Sequence, residues 1–326
     1  MPFRTSMTSR LPLIIVNPAA RGGKAGRSWA SAATVIRSHF GPYQCTFTTR
    51  QGDAARIAEE EARGGRRFIV SFGGDGTISE VARGILRSGA AAELGVLPQG
   101  TGADFLRTLA VPSRLADAAR ALRHGRPKTI DVGEVSFTSH DGTTESRFFI
   151  NSASFGLSGE VASRTNRGNL EGGRALFGGA IAYATETMKA ALAFDPPSVW
   201  LRIGTAAARQ VPITQVSVNN GKFFGGGMKI APHASLVDGL LDLVVVRKLS
   251  FARIAVDGPR IYSGTHLRLP EVTHVQVGSV HAWPVTEHAE IGLEVDGETP
   301  GVLPARFSVR PSALRIRVGG CISMGA

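Results

Sequence analysis

The first 130 residues alternate short apolar runs with segments whose apolar residues recur at every third or fourth position. The short runs predict buried strands, and the recurring positions predict helices that cover them. Strands are predicted at Leu13–Val16, Gln44–Thr48, Phe68–Phe72 and Leu94–Leu97, and helices at Ser28–Phe40, Asp53–Arg63, Ile78–Leu86 and Ala103–Leu109. This alternation predicts an α/β domain with a parallel sheet over residues 1–130.

Beyond Thr129 the pattern changes to many short segments in which apolar and polar residues alternate. These segments are Val199–Ile203, Val216–Val218, Leu241–Val246, His274–Val277, Ile291–Val295 and Leu314–Val318. Such alternation is typical of antiparallel strands with one face on a core. One helix, Ala175–Leu192, interrupts them and ends before Asp195-Pro196-Pro197, because proline cannot continue a helix. The sequence therefore predicts a second domain over residues 131–326, mostly antiparallel and β-sandwich-like.

Length, composition and charge agree with two domains and narrow the choice of partners. The chain has 326 residues, more than one domain usually contains, and its hydrophobic content of 43% suffices for two cores. The net charge of +11 favours anionic partners such as nucleotides or lipid headgroups. Nucleic acid is not expected, because the arginines are scattered and aromatic residues make up only 7% of the chain.

The cysteines and the apolar runs indicate where the protein works. Cys45 and Cys321 are the only cysteines, which argues against a disulfide framework or a zinc cluster and fits a reducing compartment. No run of about 18 apolar residues is present, so no membrane span is expected. The run Leu11–Val16 is too short for the core of a signal peptide. We expect a cytoplasmic protein that meets membranes only peripherally.

A glycine-rich loop, Gly73-Gly74-Asp75-Gly76-Thr77, lies between a predicted strand and a predicted helix. Glycines let backbone N–H groups approach a phosphate, and the start of a helix adds partial positive charge there. Thr77 is expected to cap the helix or to bind a phosphate oxygen, and Asp75 to hold the magnesium of a nucleotide. The alternative is an ordinary tight strand-to-helix turn. The P-loop pattern of NTPases is absent.

A second glycine loop, Pro98-Gln99-Gly100-Thr101-Gly102-Ala103-Asp104-Phe105, follows the next predicted strand. Ligands of open α/β sheets bind at the carboxyl ends of the strands. Two such loops side by side predict one phosphate cradle, although this loop alone is weak support for it.

With these two loops the sequence resembles the diacylglycerol kinase catalytic family, which includes soluble bacterial diacylglycerol kinases and relatives of sphingosine and ceramide kinases. The resemblance extends over nearly the whole chain and implies an NAD kinase/phosphofructokinase-like parallel sheet in the first domain. It rests on six motifs in order: Asn17-Pro18, Thr48 ahead of Gly52-Asp53-Ala54, Gly73–Thr77, Pro98–Phe105, Pro232–Gly239 and Val295–Glu298. NAD kinases and phosphofructokinases share the Gly73–Thr77 motif, so the ordered set is far more specific than any one member.

The resemblance assigns roles for phosphoryl transfer. The residues it implies for holding ATP are Asn17, Thr48, Gly73, Gly74, Gly76, Thr77, Thr101 and, on the nucleotide side, Glu298. It implies that Asp75 and Asp104 organise magnesium and water at the phosphates, and that Asp296 is the general base for a lipid hydroxyl. Neighbouring carboxylates are expected to raise the pKa of Asp296. Without the resemblance, Asp296-Gly297 reads as a hairpin turn.

The resemblance also implies a structural magnesium in the second domain. Asp238 would supply a carboxylate, with backbone carbonyls of Ser235 and Leu240, although Asp238-Gly239 alone reads as a turn.

One departure from the family is Ala103, which stands where the family usually has asparagine. The loop after Asn17-Pro18 also lacks the Ser-Gly that the family usually has there. Its glycines and Lys24 can still bind phosphate.

Taken together, the sequence predicts an ATP-dependent lipid kinase that acts on diacylglycerol or a similar lipid alcohol, with Mg2+ and ATP as cofactor and co-substrate. It predicts peripheral contact with anionic membranes and leaves the oligomeric state open, a homodimer included. The alternatives are an NAD kinase-like small-molecule kinase and, because of Ala103, a nucleotide-binding regulatory protein that has lost turnover. The stretch Phe223–Met228 is either a groove through which a lipid enters or a buried turn.

Overall fold

A computed structural model of the chain describes residues 11–99, 104–161, 194–287 and 289–319. The described chain forms two compact units. The first contains residues 11–99, 104–130 and 312–319, and the second contains residues 131–161, 194–287 and 289–311. The sequence assigned 131–326 to one domain, whereas residues 312–319 return to the first unit.

The first unit is built on parallel strands. These strands are β1 (Leu13–Val16), β2 (Gln44–Phe47), β3 (Phe68–Gly73) and β4 (Glu93–Pro98). They lie in the order β2-β1-β3-β4, and every pairing between them is parallel. Strands β1 and β3 are buried along their whole length, as expected for a sheet with both faces covered.

Helices connect and cover these strands. They are α1 (Lys24–His39), α2 (Asp53–Arg63), α3 (Asp75–Ser88), α4 (Asp104–Thr108) and α5 (Leu115–His124). The chain leaves β1 in one direction along the sheet and β3 in the other. Right-handed crossovers therefore place α1 and α3 on opposite faces. Consistent with this, α1 packs on α5, and α2 packs on α3.

The segment Leu314–Val318 was predicted as a strand of the second domain, and that assignment is corrected by the strand pairing. It lies largely in β14 (Glu298–Arg317), whose residues Arg315–Arg317 pair in parallel with Glu93–Gly95 of β4. The guanidinium of Arg317 also forms an ion pair with Glu93. Residues 315–317 thus add one more parallel strand to the first sheet.

The second unit contains the other strands. They are β5 (Pro127–Ser139), β6 (Thr144–Phe149), β7 (Ser152–Gly156), β8 (Ser198–Ile203), β9 (Arg209–Asn219), β10 (Leu241–Arg247), β11 (Val272–Val277), β12 (Ser279–Pro284), β13 (Gly292–Val295) and the first part of β14. Antiparallel pairings β7-β9-β8-β12-β14-β13-β7 close a ring. The two-domain prediction with a strand-rich second part is confirmed.

The interior of this ring is the main core of the second unit. Phe155 of β7 and Phe307 of β14 stack there with ring centroids 6.1 Å apart. Alternate residues of β8 and β12, such as Val199 and Val280, point into the same core. Two short helices, α6 (Phe251–Asp257) and α7 (Arg260–Ser263), follow β10. The predicted helix Ala175–Leu192 lies outside the described residues, and no helix within them is long and apolar enough to cross a membrane.

Candidate active site

The carboxyl ends of the parallel strands bring the predicted nucleotide residues to one edge of the first sheet. Asn17 follows β1, Thr48 follows β2, Gly74 follows β3, and Asp104 begins the helix after β4. Strands β1 and β3 are neighbours whose crossovers leave in opposite directions, which defines the switch point where open α/β sheets bind ligands. Thr101 and Ala103 lie outside the described residues.

Gly73 and Gly74 differ in what surrounds them. A Cβ placed on Gly73 would lie 2.5 Å from the Cβ of Thr77, so only glycine fits at the end of β3. A Cβ on Gly74 or Gly76 would meet no atom within 4 Å. Helix α3 begins at Asp75, and its first backbone N–H groups have no acceptor within the helix. The loop therefore combines open space with the start of a 14-residue helix, which fits a phosphate group.

Asn17 ties the loop after β1 to helix α3. Its Nδ2 donates to Thr77 Oγ1 at 3.0 Å, and its Oδ1 accepts from the N–H of Ala19 at 3.0 Å. Thr77 is buried. Thr48 is also buried, and its backbone N–H donates to Val16 O at 2.9 Å. The structure thus brings Asn17 and Thr77 into direct contact and places Thr48 beside the end of β1.

Asp75 has a positioning role that the sequence did not predict. Its carboxylate accepts hydrogen bonds from the backbone N–H groups of Asp104 at 2.9 Å and Phe105 at 3.1 Å. It therefore fixes the start of α4, so the two glycine loops are joined through this side chain. Asp104 is buried and pairs with the Arg107 guanidinium at 2.6 Å. Magnesium binding by Asp75 and Asp104 stays a prediction.

A basic pocket of about 280 Å³ lies near the ends of β3 and β4, against α1. Arg21 and Lys24 line it, and the Arg21 guanidinium donates to the carbonyl of Gln99 at 3.2 Å. The side-chain amide of Gln99 lines the same pocket and is buried with no hydrogen-bond partner in the described part of the chain. The glycine loop after β1 thus presents positive charge beside the second predicted phosphate loop.

In the second unit, Asp296 and Gly297 form the two-residue turn between β13 and β14. Both have positive φ, 47° and 87°, as a type I′ turn requires. The Asp296 carboxylate accepts three backbone N–H bonds, from Ile150, Asn151 and Ser152, each at 3.0 Å. Backbone N–H donors favour the charged form of a carboxylate, and the rise of the Asp296 pKa expected from neighbouring carboxylates stays a prediction. Asp296 is thus a turn residue whose carboxylate is held in one orientation.

Glu294 is a buried carboxylate beside Asp296 that the sequence analysis did not single out. Its Oε1 accepts from the N–H of Gly297 at 2.6 Å, and its Oε2 accepts from the hydroxyl of Ser154. Burial raises the pKa of Glu294 to about 7, with a smaller contribution from the charge of Asp296. Strand alternation predicts that Glu294 faces away from the core, because Leu293 and Val295 face it. Only the tertiary structure shows that this second face is covered.

A hydrogen-bond chain leads from Glu294 to an apolar pocket. The Ser154 hydroxyl lies 2.8 Å from that of Ser158, which accepts from Gln215 Nε2 at 2.7 Å. Ser158 and Gln215 line a pocket of about 320 Å³ whose remaining walls are mainly apolar. Those walls include Leu157, Val161, Phe224, Met228, Val246, Ile254 and Ile261. The pocket walls are therefore mainly apolar, and the polar residues that line it include Ser158, Gln215, Thr214, Arg253, Asp257 and His266.

The stretch Phe223–Met228 forms a turn, which is one of the two alternatives that the sequence left open; entry of a lipid along it stays a prediction. Phe224 and Met228 exchange backbone hydrogen bonds of 2.9 and 3.0 Å across a turn. The three glycines between them all have positive φ. Both residues line the apolar pocket. The stretch is thus a tight turn that also forms pocket wall.

Two other predicted site residues have protein partners. Glu298, assigned to the nucleotide side, forms an ion pair with Arg147 at 2.6 Å. Asp238 accepts from the N–H of Leu240 at 3.1 Å and from Gln276 Nε2 at 2.9 Å, so both its oxygens have donors. Ser235 Oγ accepts from the N–H of Val237. In the described residues no group of three or more His, Cys, Asp or Glu is placed to hold a metal. The site predicted at Ser235, Asp238 and Leu240 uses one carboxylate and backbone carbonyls, and magnesium there stays a prediction.

Comparison with known families and proteins matches both parts of the chain to one family. Residues 12–135 match the diacylglycerol kinase catalytic domain, and residues 151–318 match the YegS C-terminal NAD kinase beta sandwich-like domain. A Pseudomonas aeruginosa protein named "Probable lipid kinase YegS-like" is 31% identical over 303 residues, which cover 91% of this chain and 92% of that protein. The diacylglycerol kinase of Bacillus subtilis is 29% identical over 266 residues, covering 80% of each chain.

A solved structure supports the fold. The crystal structure of a "putative diacylglycerol kinase" from Bacillus anthracis str. Sterne superposes with a TM-score of 0.73 and 24% identity. It covers 95% of this chain and 97% of its own. At this identity the likeness concerns the fold alone.

Proposed function

Because this chain belongs to the diacylglycerol kinase catalytic-domain family of lipid kinases, we propose that it transfers the γ-phosphoryl group of ATP to the hydroxyl of diacylglycerol or a similar lipid alcohol. In this reaction the bond between the γ-phosphorus and the β,γ-bridging oxygen breaks. A bond from the lipid oxygen to phosphorus forms, and the hydroxyl proton passes to a base. The products are ADP and a phosphorylated lipid.

In this proposal the first unit binds ATP. The open space above Gly74 and Gly76, at the start of α3, accommodates phosphate oxygens. The hydroxyl of Thr77 accepts from Asn17, which leaves its proton to donate to a phosphate. Arg21 and Lys24 add positive charge. Mg2+ bound with ATP neutralises phosphate charge, and Asp75 and Asp104 are the carboxylates at this sheet edge that would hold it, directly or through water.

The second unit supplies the base. The Asp296 carboxylate accepts three backbone hydrogen bonds, and an ionised carboxylate is the form that accepts a proton from an alcohol. The type I′ turn and the donors from the β6–β7 connection fix its direction from both sides. We assign Asp296 as the general base and Glu294 as the group that fixes the turn through the Gly297 N–H.

The observation that carries the lipid assignment is the apolar pocket. A lipid alcohol has an apolar body and a polar end, and the pocket has mainly apolar walls with Ser158 and Gln215 among its polar residues. These two residues are connected by hydrogen bonds through Ser154 to Glu294, two residues before Asp296. A dinucleotide acceptor such as NAD would bring charged phosphates to apolar walls, which disfavours the NAD kinase alternative.

The test is transfer of labelled γ-phosphate from ATP to acceptors presented side by side. We expect label in phosphatidic acid or in another lipid phosphate when diacylglycerol and a lipid extract are offered in mixed micelles, and none in NADP when NAD is offered. Label in NADP alone would favour the NAD kinase alternative. MgATP binding without label in any lipid would favour a regulatory protein that has lost turnover.

A further inference from the structure

One outer surface of the second unit carries aromatic and cationic side chains that have no part in the proposed catalysis. Strands β8, β12 and β14 lie side by side in the ring, and their alternate residues point away from the core. The outward residues include Trp200, Arg202, His281, Trp283 and Arg306, which we call the aromatic–cationic strip. The two tryptophans are half-buried, and both arginines are exposed.

Strand register places these five side chains together. Trp283 pairs with Trp200, and His281 pairs with Arg202 on one side and Arg306 on the other. Cross-strand partners share a face of the sheet. The two indole rings stack with centroids 6.3 Å apart, the His281 ring lies 4.5 Å from that of Trp283, and the Arg202 guanidinium lies 5.6 Å from the same ring. The strip is therefore one continuous surface.

The strip is positively charged without local compensation. The outward positions around it, Ser198, Ser279, Pro304 and Ser308, contain no carboxylate. Within the described part of the chain, neither Arg202 nor Arg306 forms an ion pair, and neither tryptophan N–H donates a hydrogen bond. Burial and, secondly, the charges of Arg306 and Arg202 lower the pKa of His281. The positive charge of the strip thus comes from the two arginines.

These features match the interface of an anionic bilayer. Tryptophan prefers the headgroup region because its body is apolar and its N–H is polar. Arginine pairs with phosphate, and basic residues gain free energy near anionic lipid. We propose that the aromatic–cationic strip docks the protein on anionic phospholipid membranes. The inference goes beyond the proposed function, and vesicle binding tests it without ATP or turnover.

Sedimentation with vesicles is the first test. Wild-type protein is expected to bind vesicles in which part of the phosphatidylcholine is replaced by phosphatidylglycerol, and to bind pure phosphatidylcholine much more weakly. The double variant Arg202→Gln/Arg306→Gln should bind anionic vesicles about thirty-fold more weakly, the equivalent of about 1 kcal/mol for each arginine. The control Arg67→Gln/Arg126→Gln makes the same change in net charge at exposed positions of the first unit and should bind like wild type.

Tryptophan fluorescence is the second test and reports on the strip itself. The chain has three tryptophans, and the third, Trp29, packs on Phe72 in the first unit. In Trp29→Phe protein all indole emission comes from Trp200 and Trp283. Anionic vesicles should shift that emission to shorter wavelength and protect it from acrylamide quenching, because the indoles leave water.

Three outcomes would overturn the proposal. They are an absence of binding to anionic vesicles, equal weakening by both double variants, and vesicle binding without a change in the emission of Trp200 and Trp283. Failure of the proposed function looks different, since lipid phosphorylation in mixed micelles would then be absent from wild-type protein too. If both proposals hold, the strip variant keeps wild-type activity in detergent micelles and loses activity on vesicles.

Discussion

The side chain of Asn17 donates a hydrogen bond to Thr77 Oγ1 at 3.0 Å, although the two residues are sixty positions apart in the chain. Asn17 follows β1, and Thr77 lies in the first turn of α3, so the contact joins two strand ends at the switch point of the parallel sheet. The bond orients the Thr77 hydroxyl and fixes the start of the loop that contains Arg21 and leads to Lys24 at the start of α1. In the proposed reaction this contact positions the groups that bind the ATP phosphates.

The Thr77 hydroxyl is expected to contribute to ATP binding. Thr77→Val keeps the shape of the side chain and removes both the acceptor for Asn17 and the donor to phosphate. Loss of one hydrogen bond to a charged group, worth about 1.5–3 kcal/mol, should raise the KM for ATP roughly ten-fold or more. Thr77→Ser retains the hydroxyl and is the control. An unchanged KM for ATP in Thr77→Val would show that this hydroxyl does not meet the nucleotide.

Alanine substitutions at Gly73 and Gly74 are expected to differ, one lowering thermal stability and the other lowering affinity for ATP. Gly74→Ala meets no protein atom within 4 Å, so the melting temperature should hardly change while affinity for ATP falls, because the methyl group occupies phosphate space. Gly73→Ala forces its methyl group against Thr77 and should lower the melting temperature itself. Calorimetry and nucleotide titration on both variants separate these effects. Normal ATP affinity in Gly74→Ala would place the phosphates elsewhere.

The strand-end loops could be predicted from the sequence because they depend on local pattern. The run Phe68–Phe72 and the glycines after it are enough to predict β3, the turn and α3. Strand β1 and helix α2 were also predicted with the bounds that the structure shows. These elements depend on residues within one turn or one strand of each other, which a single sequence displays.

Contacts between distant segments could not be predicted in the same way. The donors to Asp75 lie about thirty positions away, and those to Asp296 lie about 145 positions earlier. The burial of Glu294 and the pairing of Arg315–Arg317 with β4 likewise depend on which segments fold together. The outward placement of Trp200 and Trp283 follows from alternation, but their stacking requires the register between β8 and β12.

Glu294 predicts how stability changes with pH. Its pKa is raised from 4.5 to about 7 by burial, so the folded protein binds more protons than the unfolded chain between these values. Stability should therefore fall as pH rises from about 4.5 to 7, by about 3 kcal/mol in total from this group. Glu294→Gln should flatten this part of the profile, measured by denaturant unfolding across the range. An unchanged slope would show that Glu294 titrates normally.

The apolar pocket predicts a matched pair of substitutions on α6. Ala255 is exposed and lines the pocket, whereas Ala252 is exposed on the same helix and does not line it. Ala255→Trp should lower kcat/KM for long-chain diacylglycerol roughly ten-fold or more and leave the KM for ATP unchanged, because bulk is added only where the lipid lies. Ala252→Trp should behave as wild type. Equal effects of the two variants would contradict lipid binding in the pocket.

The most direct measurement compares wild type and Asp296→Asn in the transfer of labelled γ-phosphate from ATP to diacylglycerol in mixed micelles, with ATP affinity measured in parallel. We predict labelled phosphatidic acid from wild type, a rate lower by about 10²–10⁴-fold in the variant, and equal ATP affinity, because only the base is removed. Transfer by Asp296→Asn at the wild-type rate would contradict the assignment of Asp296 as the general base. Absence of lipid labelling by wild type would contradict diacylglycerol kinase activity itself.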